Sequence, residues 1–119
     1  MGFVRVKGII GNLTDRSKRA EIEFIADTGA MLTIVPGEML NKLDIKPKAE
    51  RKFRLADGEM KKLPVGDALV EIEGMELFEN VVFGGSDAPP LLGVTTLERL
   101  GLEVDPTTGK LKPMELMLL

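Results

Sequence analysis

A mainly β single domain spanning residues 1–119, with one or two short helices, is what the sequence predicts, on three observations. Most apolar residues sit in runs of strand length that alternate or are rich in Val and Ile, as at residues 3–10, 20–26 and 67–73. Turn residues punctuate these runs: Gly11-Asn12, Asp57-Gly58, Gly74, Gly84-Gly85 and Thr108-Gly109. Helical spacing occurs only in two brief stretches, residues 36–43 and 94–101.

Residues 3–10 read as the first strand, a polar loop follows to Arg19, and residues 20–26 form a second strand that ends at Asp27. Residues 32–35 read as a short buried strand. Residues 36–43 read as a short helix with Pro36 near its first turn and Met39, Leu40 and Leu43 on one face. From residue 42 to 54 the chain turns basic, with Lys42, Lys46, Lys48, Arg51, Lys52 and Arg54 against Asp44 and Glu50. Without an aromatic platform beyond Phe53, this stretch reads first as a solvated surface and second as a face for an acidic ligand or RNA. Residues 53–56 and 59–63 flank Asp57-Gly58 as a β-hairpin with a tip poor in apolar residues. Two further strands, 67–73 and 75–83, meet at Gly74, and residues 84–90 form the clearest loop.

Leu91-Leu92-Gly93 is a buried apolar step into the helix at residues 94–101. Thr95 is expected as its N-cap, with Glu98 completing a capping box and Gly101 ending it. Residues 102–105 and 110–112 form a last hairpin about 106–109, a turn without the alternating acids of a calcium loop. Residues 114–119 are apolar enough to be expected under cover of the core or of a partner. An apolar strand, a glycine-containing turn and a short helix occur at residues 22–43 and again at 81–100. This faint correspondence suggests two strand-turn-helix units packed about a shared centre.

With no Trp, no Tyr and five Phe, the core is aliphatic. The absence of Cys and His excludes disulfides, thiolate or imidazole metal sites and nucleophilic mechanisms that need a Cys or a His base, so no metal and no cofactor is expected. Ser17 and Ser86 lie outside any Gly-x-Ser-x-Gly turn, which leaves carboxylates as the leading catalytic candidates. A net charge of −3 gives no reason to expect nucleic acid or an anionic membrane as partner. No apolar run approaches the roughly 18 residues of a spanning helix. Arg5 and Lys7 interrupt the apolar core that a secretory signal needs, so a cytoplasmic protein is expected. Gly2 opens a myristoylation motif that Val6 breaks, and Asn12-Leu13-Thr14 is a glycan acceptor only in a secreted chain.

One stretch carries chemistry. The strand at 22–26 delivers a single carboxylate, Asp27, into a tight turn, where Thr28 can hydrogen-bond locally, Gly29 permits close backbone approach and Ala30 keeps the turn uncrowded. In isolation Asp-Thr-Gly is a plain Asx-turn; its context separates that reading from an active site.

In order, Asp27-Thr28-Gly29-Ala30 at a strand end, a hairpin at Ala56-Asp57-Gly58, and Leu91-Leu92-Gly93 leading into a helix resemble the retropepsin-like aspartic protease family, single-domain relatives of the retroviral proteases. The resemblance runs from about residue 21 to residue 111, and residues 91–102 are more similar to cellular and prokaryotic members than to viral ones. It implies a closed β-barrel-like retropepsin (acid protease) fold with one lobe per chain, and an aspartic endopeptidase that works as a homodimer on polypeptide without a cofactor. Asp27 would be the catalytic aspartate, Thr28 would brace the paired loops across the dimer, and Gly29 would admit substrate backbone. Ala56, Asp57 and Gly58 would form the tip of a flap. Residues 3–6 and the apolar C-terminus would form an intersubunit sheet. Retroviral members place an acid after Asp-Thr-Gly-Ala and pair it with an Arg after the second glycine motif. Here Met31, Leu32, Val94 and Thr95 occupy those neighbourhoods, so an apolar contact would replace the ion pair.

Elementary chemistry supports dimerisation independently. Carboxylate-driven peptide hydrolysis needs one acid and one base, best supplied by two carboxylates sharing a proton, and this chain offers one. A two-fold axis would bring Asp27 beside its mate. Three functions are open at this level: an active homodimeric endopeptidase; a protein-binding module of the same fold, catalytically weak or inactive, for which the charged Asp57-Gly58-Glu59 region leaves room; and an RNA binder acting through residues 42–54, whose affinity would fall steeply with salt.

Overall fold

Alternation in the first two strands decides how the sheet curls. Val4, Val6 and Ile10 of β1 (Val4–Gly11) and Ile22 and Phe24 of β2 (Arg19–Asp27) are buried, while Arg5, Lys7, Glu21 and Glu23 face water. The computed structural model describes residues 3–116 and 118. After β2 come β3 (Ile34–Pro36), α1 (Gly37–Lys42), β4 (Ala49–Arg54), β5 (Met60–Ile72), β6 (Met75–Gly84), β7 (Leu91–Gly93), α2 (Val94–Leu100), β8 (Leu102–Asp105) and β9 (Lys110–Pro113). Strands β1, β2, β7, β3, β6 and β5 follow one another in the sheet, and β5 pairs back onto β1, closing a six-stranded barrel. Closure leaves β4, paired only with the first half of β5, at the edge of the sheet, and the core inside is mostly aliphatic, around Phe24, Ile10, Leu40, Ile72 and Leu92. The mainly β barrel with two short helices is therefore as expected. Among the described residues, no helix is long and apolar enough to cross a membrane.

Two local expectations are corrected. The strands expected at 59–63 and 67–73 are one 13-residue strand, β5, running through Pro64. It changes partners midway: β4 pairs with its first half, and β6 and β1 with its second. Gly66 lies where the backbone of Lys46 presses close, since a Cβ there would sit 2.7 Å from the Lys46 carbonyl oxygen. Helix α2 does not use a Thr95 capping box. Its N-cap is Gly93 with no side-chain cap, and Thr95 lies inside the helix. Its leading N–H groups are taken up by another part of the chain, Val94 N donating to the Ala30 carbonyl at 2.8 Å and Thr95 N to that of Met31 at 3.2 Å. The Gly101 cap is as expected, left-handed at φ 71°.

The sheet expected between termini of two copies involves a second chain; within one chain the termini are arranged as follows. Val4, Arg5 and Val6 pair with Ala26, Ile25 and Phe24 of their own chain, and β5 reaches β1 only from Gly8 onward. Residues 114–116 form no strand; the Met114 amide donates to Gly101, and Leu116 packs over that glycine. Leu116 stays 67% exposed, Leu118 99% and Phe3 75%, so the chain's own core does not cover them. Met117 and Leu119, part of the same apolar expectation, lie outside the described residues.

The suspected two-unit organisation is real. β2 runs parallel to β7, and β3 parallel to β6, so each strand-turn-strand-helix unit inserts its second strand beside the first strand of the other. The two inserted strands meet in an antiparallel bridge, Ile34 opposite Leu91.

Candidate active site

Strand β2 ends by placing Asp27 opposite Gly93 of β7. The chain then turns back on itself. The Gly29 amide donates to Asp27 Oδ1 at 2.9 Å, and the Ala30 amide to the Asp27 carbonyl at 3.1 Å. This is the Asx-turn that Asp and Gly favour locally, and it leaves the carboxylate half-buried and turned toward a cleft. A Cβ on Gly29 would lie 3.2 Å from that same Oδ1, so the glycine keeps space beside the acid. Thr28 and Gly29 are exposed.

Beneath the acid, two loops interlock. Gly93 passes directly over the backbone of Leu32 and Thr33; a Cβ there would stand 2.5 Å from the Leu32 carbonyl carbon, which no side chain could accept. Leu92 is fully buried, and Leu91 bridges to Ile34. Leu91-Leu92-Gly93 thus belongs to the support of the Asp27 loop, and Gly93 alone permits the crossing.

Above the acid lies the β4–β5 hairpin. Its turn is built on Leu55, whose amide donates to Glu59 O at 2.8 Å and whose carbonyl accepts the Gly58 amide at 2.9 Å. Ala56 and Asp57 are the central residues and Gly58 follows in the left-handed region at φ 87°. Asp57 Oδ1 accepts the Glu59 amide at 2.9 Å, and Arg54 Nη1 donates to the Gly58 carbonyl at 3.1 Å. The cleft between hairpin and loop encloses about 470 Å³ and is lined by Asp27, Gly29, Ala30 and Ala56, by Lys52 and Arg54 of β4, and by apolar walls from Met31, Leu32, Ile34, Phe53, Leu55, Leu63 and Val82. The structure therefore brings Asp27, Gly29, Ala30 and Ala56 to one cavity. Asp57 and Gly58 stand at the hairpin tip outside that lining, and Leu91, Leu92 and Gly93 lie behind the floor.

A slightly smaller hollow, about 450 Å³, lies on the outer face of β1, β2 and β5 among Lys7, Glu21, Glu23, Glu71 and Glu73, away from Asp27. Among the described residues no group of His, Cys, Asp or Glu is arranged to hold a metal.

Sequence reasoning missed the polar side chains under the floor. Thr33 and Thr96 are buried and share a 2.7 Å hydroxyl contact, and Thr33 Oγ1 accepts the Gly93 amide at 3.0 Å. The single local signal for Thr33 is a hydroxyl set between the apolar Leu32 and Ile34.

Comparison with known proteins agrees with this geometry. The family model for gag-polyprotein putative aspartyl protease matches residues 17–99, which takes in Asp27, the hairpin and Gly93. Among solved structures, the solution structure of Simian Foamy Virus (mac) protease matches with a TM-score of 0.58 at 20% sequence identity, covering 81% of this chain and 93% of that one. At that identity the likeness is one of fold. A search of curated proteins gives no significant match.

Proposed function

The chain belongs to the family of gag-polyprotein putative aspartyl proteases, and we propose that it is a homodimeric endopeptidase in which Asp27 of each protomer supplies half of the catalytic pair. The observation that carries this reading is the lone carboxylate at the floor of a mostly apolar cleft, lined also by Lys52 and Arg54 and roofed by a hairpin. Exposed Thr28 and the uncovered apolar side chains of Phe3, Leu116 and Leu118 support a second copy as partner.

Two Asp27 carboxylates brought together by a two-fold axis share one proton. The ionised one accepts a proton from a water molecule as the water oxygen attacks the scissile carbonyl, while the protonated one donates to the carbonyl oxygen. Collapse of the tetrahedral intermediate breaks the C–N bond, and the proton held by the first Asp27 passes to the departing amine. Gly29 leaves room for the substrate backbone, and Met31, Ile34, Phe53, Leu55 and Val82 favour apolar side chains beside the scissile bond. The hairpin, with Ala56 over the cleft and Asp57 and Gly58 at its tip, acts as the flap.

The test is to incubate the wild-type protein and an Asp27→Asn variant with a mixed peptide library from acid to neutral pH, with sedimentation at the same concentrations. Cleavage by dimeric wild type and none by the variant is expected. Should demonstrably dimeric wild type cleave nothing, or the variant cleave equally well, the reading fails. Peptide binding without cleavage by the wild type would identify a binding module instead.

A further inference from the structure

Three polar side chains are buried among the described residues, Thr33, Thr96 and Glu79, and all three belong to one hydrogen-bonded chain. It starts at Glu79 on β6, whose side chain is 4% exposed and whose Oε1 is held by Arg99 Nη1 from α2; the same guanidinium nitrogen donates to the Phe78 carbonyl at 2.9 Å. It continues through Thr96 Oγ1, 3.3 Å from Glu79 Oε2, then Thr33 Oγ1 at 2.7 Å, and ends at the Gly93 amide at 3.0 Å.

The direction of every link follows from the donors available. A carboxylate paired with a guanidinium is an acceptor only, so the Thr96 hydroxyl must point its hydrogen at Glu79. A hydroxyl has one hydrogen. Thr96 therefore has only lone pairs to offer Thr33, and the contact between the two hydroxyls, ambiguous in itself, must have Thr33 as donor. Thr33 in turn has only a lone pair left for Gly93, whose N–H faces it. A charge on β6 thereby fixes where the Thr33 hydroxyl hydrogen points, and that hydroxyl holds the residue that lies opposite Asp27 in the sheet register. We propose that Glu79 is a positioning residue for the Asp27 loop: its carboxylate orients Thr96 and Thr33 so that Thr33 holds the Gly93 amide and locks the two interlocked loops in one arrangement. The catalytic consequence rests on the endopeptidase reading; the orientation itself does not.

Glu79→Gln is the informative variant because it keeps shape and reverses polarity. Arg99 selects the amide oxygen, which turns the amide NH2 toward Thr96 and forces Thr96 to donate to Thr33. Thr33 must then accept from both Thr96 and Gly93, and the cost of leaving its own buried hydrogen unpaired loosens its hold on the Gly93 amide. Thr96→Val removes the middle hydroxyl at nearly constant shape, and Thr96→Ser restores it.

Amide hydrogen exchange of Gly93, measured by NMR on the full-length protein, reads the orientation, and kcat against KM on a cleaved peptide reads its consequence. Gly93 exchange is expected to rise about tenfold in Glu79→Gln and in Thr96→Val relative to amides of β1 and β5, and to stay near wild type in Thr96→Ser. In the same two variants kcat is expected to fall about tenfold while KM changes less than about twofold. The proposal is overturned if Gly93 protection is unchanged in both variants, if Thr96→Ser loses as much as Thr96→Val, or if exchange rises equally across the barrel, which would mark a merely structural loss. If the wild type cleaves no peptide, the endopeptidase reading falls, and the Gly93 exchange pattern still decides the positioning role.

Discussion

Residues 19–42 and 76–99 trace the same path through the barrel, each a long strand, a six-residue loop, a three-residue strand and a short helix. One constant offset carries Asp27 onto Gly84, Ile34 onto Leu91 and Pro36 onto Gly93. Hydrogen bonds obey it too: Ile25 N donates to Pro90 O and, at the matching positions, Val82 N donates to Thr33 O, both at 2.9 Å. The antiparallel bridge between Ile34 and Leu91 joins two equivalent residues and so lies on the axis relating the halves. Arg19 and Glu76, also equivalent, meet in an ion pair at 2.5 Å.

The halves differ where the first strand of each ends. The first loop presents Asp27 in an Asx-turn at the cleft. At the equivalent place the second has Gly84, where a Cβ would sit 2.8 Å from Ile34 Cγ2. The second position is packed shut by a side chain of the first half. Internal symmetry therefore builds the frame but cannot supply a second acid, and on the endopeptidase reading that acid must come from the equivalent loop of another copy.

The largest effect belongs to the acid itself. Asp27→Asn should lower peptide cleavage by about 10³-fold, and Gly84→Asp beside an intact Asp27, which puts two acids in one chain, should give no cleavage by a monomer; cleavage by a monomeric Gly84→Asp variant would break the comparison. Next is the crossing glycine. Gly93→Ala drives a methyl into backbone and should cost about 3 kcal/mol in urea denaturation, whereas Gly84→Ala meets the Ile34 Cγ2 methyl at 2.8 Å, with Ala88 Cβ at 3.4 Å and the Val35 carbonyl oxygen at 3.5 Å, and should cost about half as much. Equal losses would mean that the two halves do not bear their loops differently.

The smallest effect concerns the ion pair joining the halves. Hydrogen bonds from Arg19, then from Arg16, hold the Glu76 carboxyl below the ordinary glutamate range. A carboxylate lowered in the folded state stabilises above its unfolded value, about 4.3, and that contribution is lost as pH falls through the lowered folded value. Arg19→Gln should therefore flatten the decline of the urea midpoint between about pH 5 and about pH 3, with little change in the slope near neutrality. An unchanged acid limb would show that Arg19 does not hold the two halves together through Glu76.

Much of this was legible in one dimension because its causes are local. Alternation placed β1 and β2, Gly58 marked the hairpin turn and Gly101 the end of α2, and Asp27-Thr28-Gly29 is a turn whose hydrogen bond spans two residues. The capping box at Thr95 misled for a physical reason: local side chains are only one source of acceptors, and here the carbonyls of Ala30 and Met31 took that place.

By itself, then, the sequence determined the mainly β class, most strands and turns, the family and the candidate acid Asp27, since each depends on neighbours along the chain or on residue types that are absent. Only the tertiary structure decided what supports that acid. The bonds from Thr33 to Thr96 and to Gly93 join residues 63 and 60 positions apart, and Glu79 stands 17 from Thr96. No periodicity or turn rule records such pairings, because they exist only after two separate loops have been folded through one another and water has been excluded from between them.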